Sequence, residues 1–159
     1  MKIIFLDIDG VLNSRPYLIA SHDPFGRSDE ECIDVKAVMR LNDIVRQTDA
    51  KVVISSTWRL NWSPEEIETM MKKRGFIGKV VGATTALPTT RGHEIQAWLS
   101  TAIGVKSFVV LDDDSDMDVL MHRLVQTSFD SGLLEKHVDE AVSMLNGEYL
   151  SQKHLSGKQ

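Results

Sequence analysis

Two hydrophobic periods alternate along this chain, and they predict its elements. Ile3 to Leu6 is a compact apolar run, too short to cross a membrane and β-branched enough to read as a buried strand. Similar short runs recur at Lys51-Val-Val-Ile54, Lys79-Val-Val81, Ser107-Phe-Val-Val-Leu111 and Leu124-Val-Gln-Thr127. Helical spacing fills the intervals. Val35, Val38, Leu41, Ile44 and Val45 recur every three or four residues behind Asp34, a good N-cap, and predict a helix over 34–47. Ser63-Pro64-Glu65-Glu66 opens a second helix that runs to Arg74 and stops at Gly75. Behind Arg91-Gly92-His93-Glu94 a third helix turns Ile95, Trp98, Leu99 and Ile103 to one side. A short helix over 116–122, a turn at Ser131-Gly132 and a closing helix from Leu134 to Leu145 complete the pattern.

Strands alternating with helices predict an α/β fold, a Rossmann-like three-layer sandwich around a central parallel sheet of about five strands. Residues 14–33 break both periods with Pro16, Pro24 and Gly26, so they read as an irregular polar loop. That loop is either a solvated excursion or a flap that faces substrate. A single domain over 1–146 with a polar tail over 147–159 is expected.

Composition changes this picture little. Of 159 residues, 42% are hydrophobic and 26% charged, as in ordinary globular domains. A net charge of −5 argues against a broad basic nucleic-acid footprint but leaves room for a small basic site around one phosphate. Cys32 stands alone, which excludes a disulfide framework and a cysteine zinc site. The first residues fit neither a secretory leader nor a membrane span, so a cytoplasmic protein with no membrane partner is expected.

The candidate chemistry lies where the strands stop, because ligands of open parallel sheets collect beyond the carboxyl ends of the strands. Asp7 and Asp9 close the first strand, Ser55 and Ser56 the second, and Asp112, Asp113 and Asp114 the fourth. Asp7 and Asp9 project to the same side, where their mutual repulsion calls for a cation, and a hard divalent metal is the economical one. Gly10 lets the chain turn at once. Arg91 adds a cation at the head of a helix. Carboxylates, hydroxyls and an arginine at strand ends make a site suited to phosphate and Mg²⁺.

Those residues resemble the four motifs of the haloacid dehalogenase (HAD) superfamily of phosphohydrolases, in order, over residues 1–146. Within it the chain is most similar to small HAD domains of RNA-repair and phage-type proteins. The similarity lies in Leu6-Asp-Ile-Asp-Gly-Val-Leu-Asn13, Ser55-Ser-Thr-Trp-Arg59 and Arg91-Gly-His-Glu-Ile95. The resemblance implies Asp7 as nucleophile and Asp9 as general acid and base. It implies Ser55, with Ser56 as the alternative, Arg91 and the Gly10 turn as the phosphate contacts. The implied Mg²⁺ ligands are Asp7, Asp9 through its backbone carbonyl, and Asp113, with Asp112 beside it as the other candidate of the fourth motif. Asp116 and Asp118 offer two registers for that motif's trailing acid.

The implied activity is that of a Mg²⁺-dependent phosphatase working through an aspartyl-phosphate. Its substrate would be a nucleotide, a nucleic-acid end or a small phosphoester, and monomer and dimer both stay open. The rival is a non-catalytic HAD-like module that binds metal or phosphorylated ligands. The intervals between motifs hold no large helical cap, which implies an open site. Arg15 and Arg59 read as solvated surface residues, with a phosphate contact as the alternative. Trp98 reads as core, whereas Trp58 and Trp62, beyond the second strand, are candidates for stacking near the site. An EF-hand over Asp112–Asp118 fails because Met117 stands at its required glycine and Arg123 at its required glutamate. A zincin helix fails because Ala97 replaces the second histidine.

Overall fold

The computed structural model describes residues 1–21 and 28–147. Five strands, β1 (Lys2–Leu6), β2 (Lys51–Ile54), β3 (Val80–Ala83), β4 (Ser107–Asp112) and β5 (Leu124–Gln126), form one all-parallel sheet in the order β3-β2-β1-β4-β5. The chain therefore winds outward in one direction from β1 to β3, then crosses back to build β4 and β5 on the other side. The reversal point lies between β1 and β4, where such sheets leave a crevice at their carboxyl edge.

Side-chain alternation divides the core in two. Ile4, Leu6, Val52, Ile54, Val109, Leu111 and Val125 face α2 (Val35–Thr48), α3 (Pro64–Lys73) and α5 (Glu135–Leu145). The opposite face, with Ile3, Phe5, Val53 and Val110, packs on α4 (Arg91–Thr101) and on a 3-10 turn over Asp118–Arg123. Trp98 sits edge-on to Phe5 at 5.4 Å between ring centres, as its place on an apolar face predicts. Both faces of β1 are thus covered, which is why it reads as a continuous apolar run rather than an alternating one. The expected three-layer α/β sandwich is the observed fold.

The expected caps form. Asp34 accepts from the Lys36 amide, Ser63 and Glu66 make a reciprocal capping box with Pro64 in the first turn, and Gly75 follows α3 at φ 98°. Three expectations need correction. Residues 14–33 are not wholly irregular: Arg15–Ala20 is a helix, α1, and Glu30–Cys32 a 3-10 turn. Pro16, read as a breaker, lies in the first turn, where its missing N–H costs nothing, and Ser14 caps that turn by accepting from the Tyr17 amide. The part of that loop over 22–27 and the tail over 148–159 lie outside the described residues. Ile103 is not on the α4 face; Ala102 leaves the helix in extended conformation and Ile103 is 90% exposed. The helix expected over 116–122 is the 3-10 turn at Asp118–Arg123. Among the described residues no helix is long and apolar enough to cross a membrane.

Candidate active site

Sheet register brings the strand-end residues together. Leu6 pairs with Ile54 on one side and with Leu111 on the other, so the next residue on each strand is Asp7, Ser55 or Asp112. The ladder continues through them: the Asp7 amide donates to the Leu111 carbonyl at 3.0 Å, and the Ser55 amide to the Leu6 carbonyl at 2.9 Å. Three residues far apart in sequence thus stand in a row at the reversal point of the sheet. Asp113 follows Asp112. Asp7, Asp112 and Asp113 each offer a carboxylate oxygen, and these oxygens lie within 4.8 Å of one another.

Burial sharpens that crowding. It pushes the Asp7 carboxyl up to about 6, against the opposing pull of the Arg91 guanidinium and the Ser56 hydroxyl. Asp112, 1% exposed, is pushed up to about 8 by burial and by the neighbouring Asp7 charge. Its Oδ2 has no hydrogen-bond partner, and the Arg91 Nε stands 3.9 Å away. Oγ of Ser55, Nη1 of Arg91 and, on the turn after β2, Nε of Arg59 are in the same condition. Each buried polar atom left without a partner costs about 1–3 kcal/mol, so this arrangement suits a ligand that supplies the missing contacts. A hard divalent cation fits the carboxylate set, since it takes oxygen donors and relieves the repulsion that raises both carboxyls. Asp7, Asp112 and Asp113 are the side chains placed to hold it.

Asp9 stands apart from that cluster. Its Oδ1 accepts from Nδ2 of Asn13 at 2.9 Å and its Oδ2 from Nε1 of Trp58 at 3.3 Å. Asn13, 1% exposed, also accepts the Gly10 amide through Oδ1 at 2.9 Å. One buried amide therefore fixes both the turn after β1 and the carboxylate on it. Gly10, at φ 83°, lies so close to Asp113 that a Cβ there would run into the Asp113 carboxylate. Its carbonyl is held by Oγ1 of Thr127 at 2.7 Å.

Arg91 is placed by the acids beyond β4. Its amide donates to Oδ2 of Asp116 at 3.1 Å, the Gly92 amide donates to the Asp116 carbonyl at 3.0 Å, and Thr90 Oγ1 donates to Asp118. Both candidate trailing acids thus bind the head of α4, where negative charge complements the helix dipole. Gly92 is needed there, because a Cβ would strike the Met117 backbone.

Arg59 corrects its expected solvated surface position. Its side chain is 8% exposed, forms an ion pair with Glu94 of α4 and donates to the Ser56 carbonyl at 2.6 Å. Arg15 is exposed and pairs with Asp130, as a surface arginine would. Sequence reading assigned no role to Asn13 or Glu94. Both occur in the motif segments, but their partners become visible only once the loops after β1 and β2 meet.

Fold and site together define a Rossmann-like α/β domain with an acidic centre at the reversal point of its sheet. Residues 3–138 match the family described as the HAD domain in Swiss Army Knife RNA repair proteins. The chain belongs to that family, and the resemblance drawn from its four motifs is borne out. No curated protein and no solved structure matches it.

Proposed function

We propose that the chain is a Mg²⁺-dependent phosphomonoester hydrolase acting through an aspartyl-phosphate on Asp7, with a nucleotide or a nucleic-acid end as substrate. Family membership supports phosphohydrolase chemistry in general. The family's description, with its RNA repair, supports a phosphorylated nucleic-acid substrate. One observation carries the reading of the site: Ser55 Oγ, Asp112 Oδ2 and Arg91 Nη1 are buried without partners around Asp7. A hydroxyl donor and a guanidinium donor suit a phosphoryl group, and the carboxylates suit its metal.

The roles follow. The Asp7 carboxylate attacks phosphorus as the bond to the leaving oxygen breaks, and Asp9 gives that oxygen a proton. Asp9, now a carboxylate, takes a proton from water as the water oxygen attacks phosphorus. Phosphate leaves, and the Asp7 carboxylate is restored. General acid–base catalysis of this kind contributes roughly 100- to 10,000-fold. Ser55 and Arg91, with Ser56 and the Gly10 turn beside them, hold the non-bridging oxygens. Asp7, Asp112 and Asp113, with the Asp9 carbonyl as a further donor, would hold Mg²⁺, which would supply charge neutralisation for the phosphoryl group when bound.

Hydrolysis of p-nitrophenyl phosphate with and without Mg²⁺ tests the proposal. The wild type turns over only with Mg²⁺, and Asp7→Asn falls to the uncatalysed rate. Equal rates for the two proteins would leave the rival, a binding module, in its place.

A further inference from the structure

Beyond Asp9 the surface opens into a groove of about 450 Å³. Its walls include Trp58, Trp62, Leu60 and Asn61, with Asp9 and Asp29 also among its lining. Resting on the phosphatase reading above, we infer that this groove seats the leaving group of the phosphoester, and that this leaving group is a nucleoside with its base against the tryptophans.

Position is the first argument. A group that protonates a leaving oxygen must touch it, so whatever that oxygen carries departs along Asp9. Trp58 donates its indole N–H to Asp9, which places the ring beside the point of departure. Trp62 donates in the same way to Oδ2 of Asp29 at 2.7 Å. Both rings also pack against the main core, so each is anchored at its polar edge and along its buried side. Two indoles held in this way present apolar surface with little side-chain entropy left to lose on binding.

Size and charge select the occupant. The volume lies within the range of small-molecule sites. Among the described residues, the charged side chains lining the groove are Asp9 and Asp29, with no lysine or arginine. Phosphodiester backbones are held by cations, so a continuing strand finds no path through this groove. An uncharged aromatic group does, because every base has a face that stacks on indole. The occupant is the terminal nucleoside, and any remaining chain leaves by another route.

Trp62 is the residue to change, since Trp58 touches Asp9. The measurement is kcat and KM in Mg²⁺ for adenosine monophosphate, ribose 5-phosphate and adenosine 3′,5′-bisphosphate, with p-nitrophenyl phosphate as the check on the chemistry. Wild type prefers adenosine monophosphate to ribose 5-phosphate by roughly 5- to 150-fold, the range expected of one stacked base. Trp62→Ala erases that preference through KM, with kcat and the ribose 5-phosphate rate within about twofold of wild type, whereas Trp62→Phe keeps most of it. The bisphosphate keeps the preference over ribose 5-phosphate in wild type and loses it in Trp62→Ala, because its second phosphate stands where a strand would continue and so lies outside the groove. Hydrolysis of p-nitrophenyl phosphate without preference for the nucleoside, or an equal loss on both sugar phosphates in Trp62→Ala, overturns the groove assignment alone. If wild type hydrolyses none of the four, the phosphatase reading falls and the groove assignment with it.

Discussion

Asn13 shows how much one buried amide does at this site. It ties the Gly10 amide and the Asp9 carboxylate to a single side chain, so the turn and the carboxylate proposed to carry the proton are set together. Asn13→Ala strands the Gly10 N–H, which costs about 1–3 kcal/mol in a thermal or urea melt. The same change frees Asp9 to rotate, so kcat falls by roughly 10- to 100-fold with KM little altered, because a misplaced proton donor acts on the transition state. A stability loss without a kcat loss would remove Asn13 from the positioning of Asp9. The sequence displayed Asp7, Asp9, Ser55, Arg91 and Asp113 because each ends or begins an element, which pattern alone reveals. Asn13 was not legible, since its role depends on where the turn folds back.

At the scale of elements, the question is what holds Arg91 opposite Ser55. The Arg59–Glu94 ion pair joins the turn after β2 to α4, and Arg59 also binds the Ser56 carbonyl. With both side chains under 10% exposed, removing one partner leaves an unpaired buried charge, at about 3–5 kcal/mol. Glu94→Gln therefore unfolds at lower urea than wild type. The double variant Arg59→Met with Glu94→Leu regains most of that loss, because the uncompensated charge is gone. Equal destabilisation by single and double variants would mean that packing rather than charge is at stake. An arginine after a strand-end Ser-Ser-Thr-Trp reads as solvated, since nothing local announces a carboxylate 35 residues away. Residues 14–33 resist pattern reading for a different reason: Pro16 is as compatible with a helix start, where it stands, as with the end of one.

For the whole molecule, the parallel sheet was legible in its apolar runs, and its register is what builds the acidic centre. Stability then responds to pH in a particular direction. Asp7 and Asp112 bind protons more tightly in the folded chain, at about 6 and about 8, than at their ordinary value of 3.8. Their contribution to the metal-free protein is fully present below about pH 3.8 and is lost as pH rises through those two values. On the proposed reading, magnesium would bind the ionised carboxylates and cancel their repulsion, so the expected outcome is a larger rise in Tm at about pH 8 than at about pH 5. Thermal melts with and without Mg²⁺ at both values check this, and an equal shift at the two would contradict it.

The central claim is that Asp7 becomes phosphorylated. Borohydride reduces an acyl phosphate to an alcohol, so quenching the protein during turnover of p-nitrophenyl phosphate and mapping its peptides by mass reads the modified position. Homoserine at position 7, absent without Mg²⁺, is the result predicted. Turnover that leaves residue 7 an aspartate, or that proceeds undiminished in Asp7→Asn, would contradict the account.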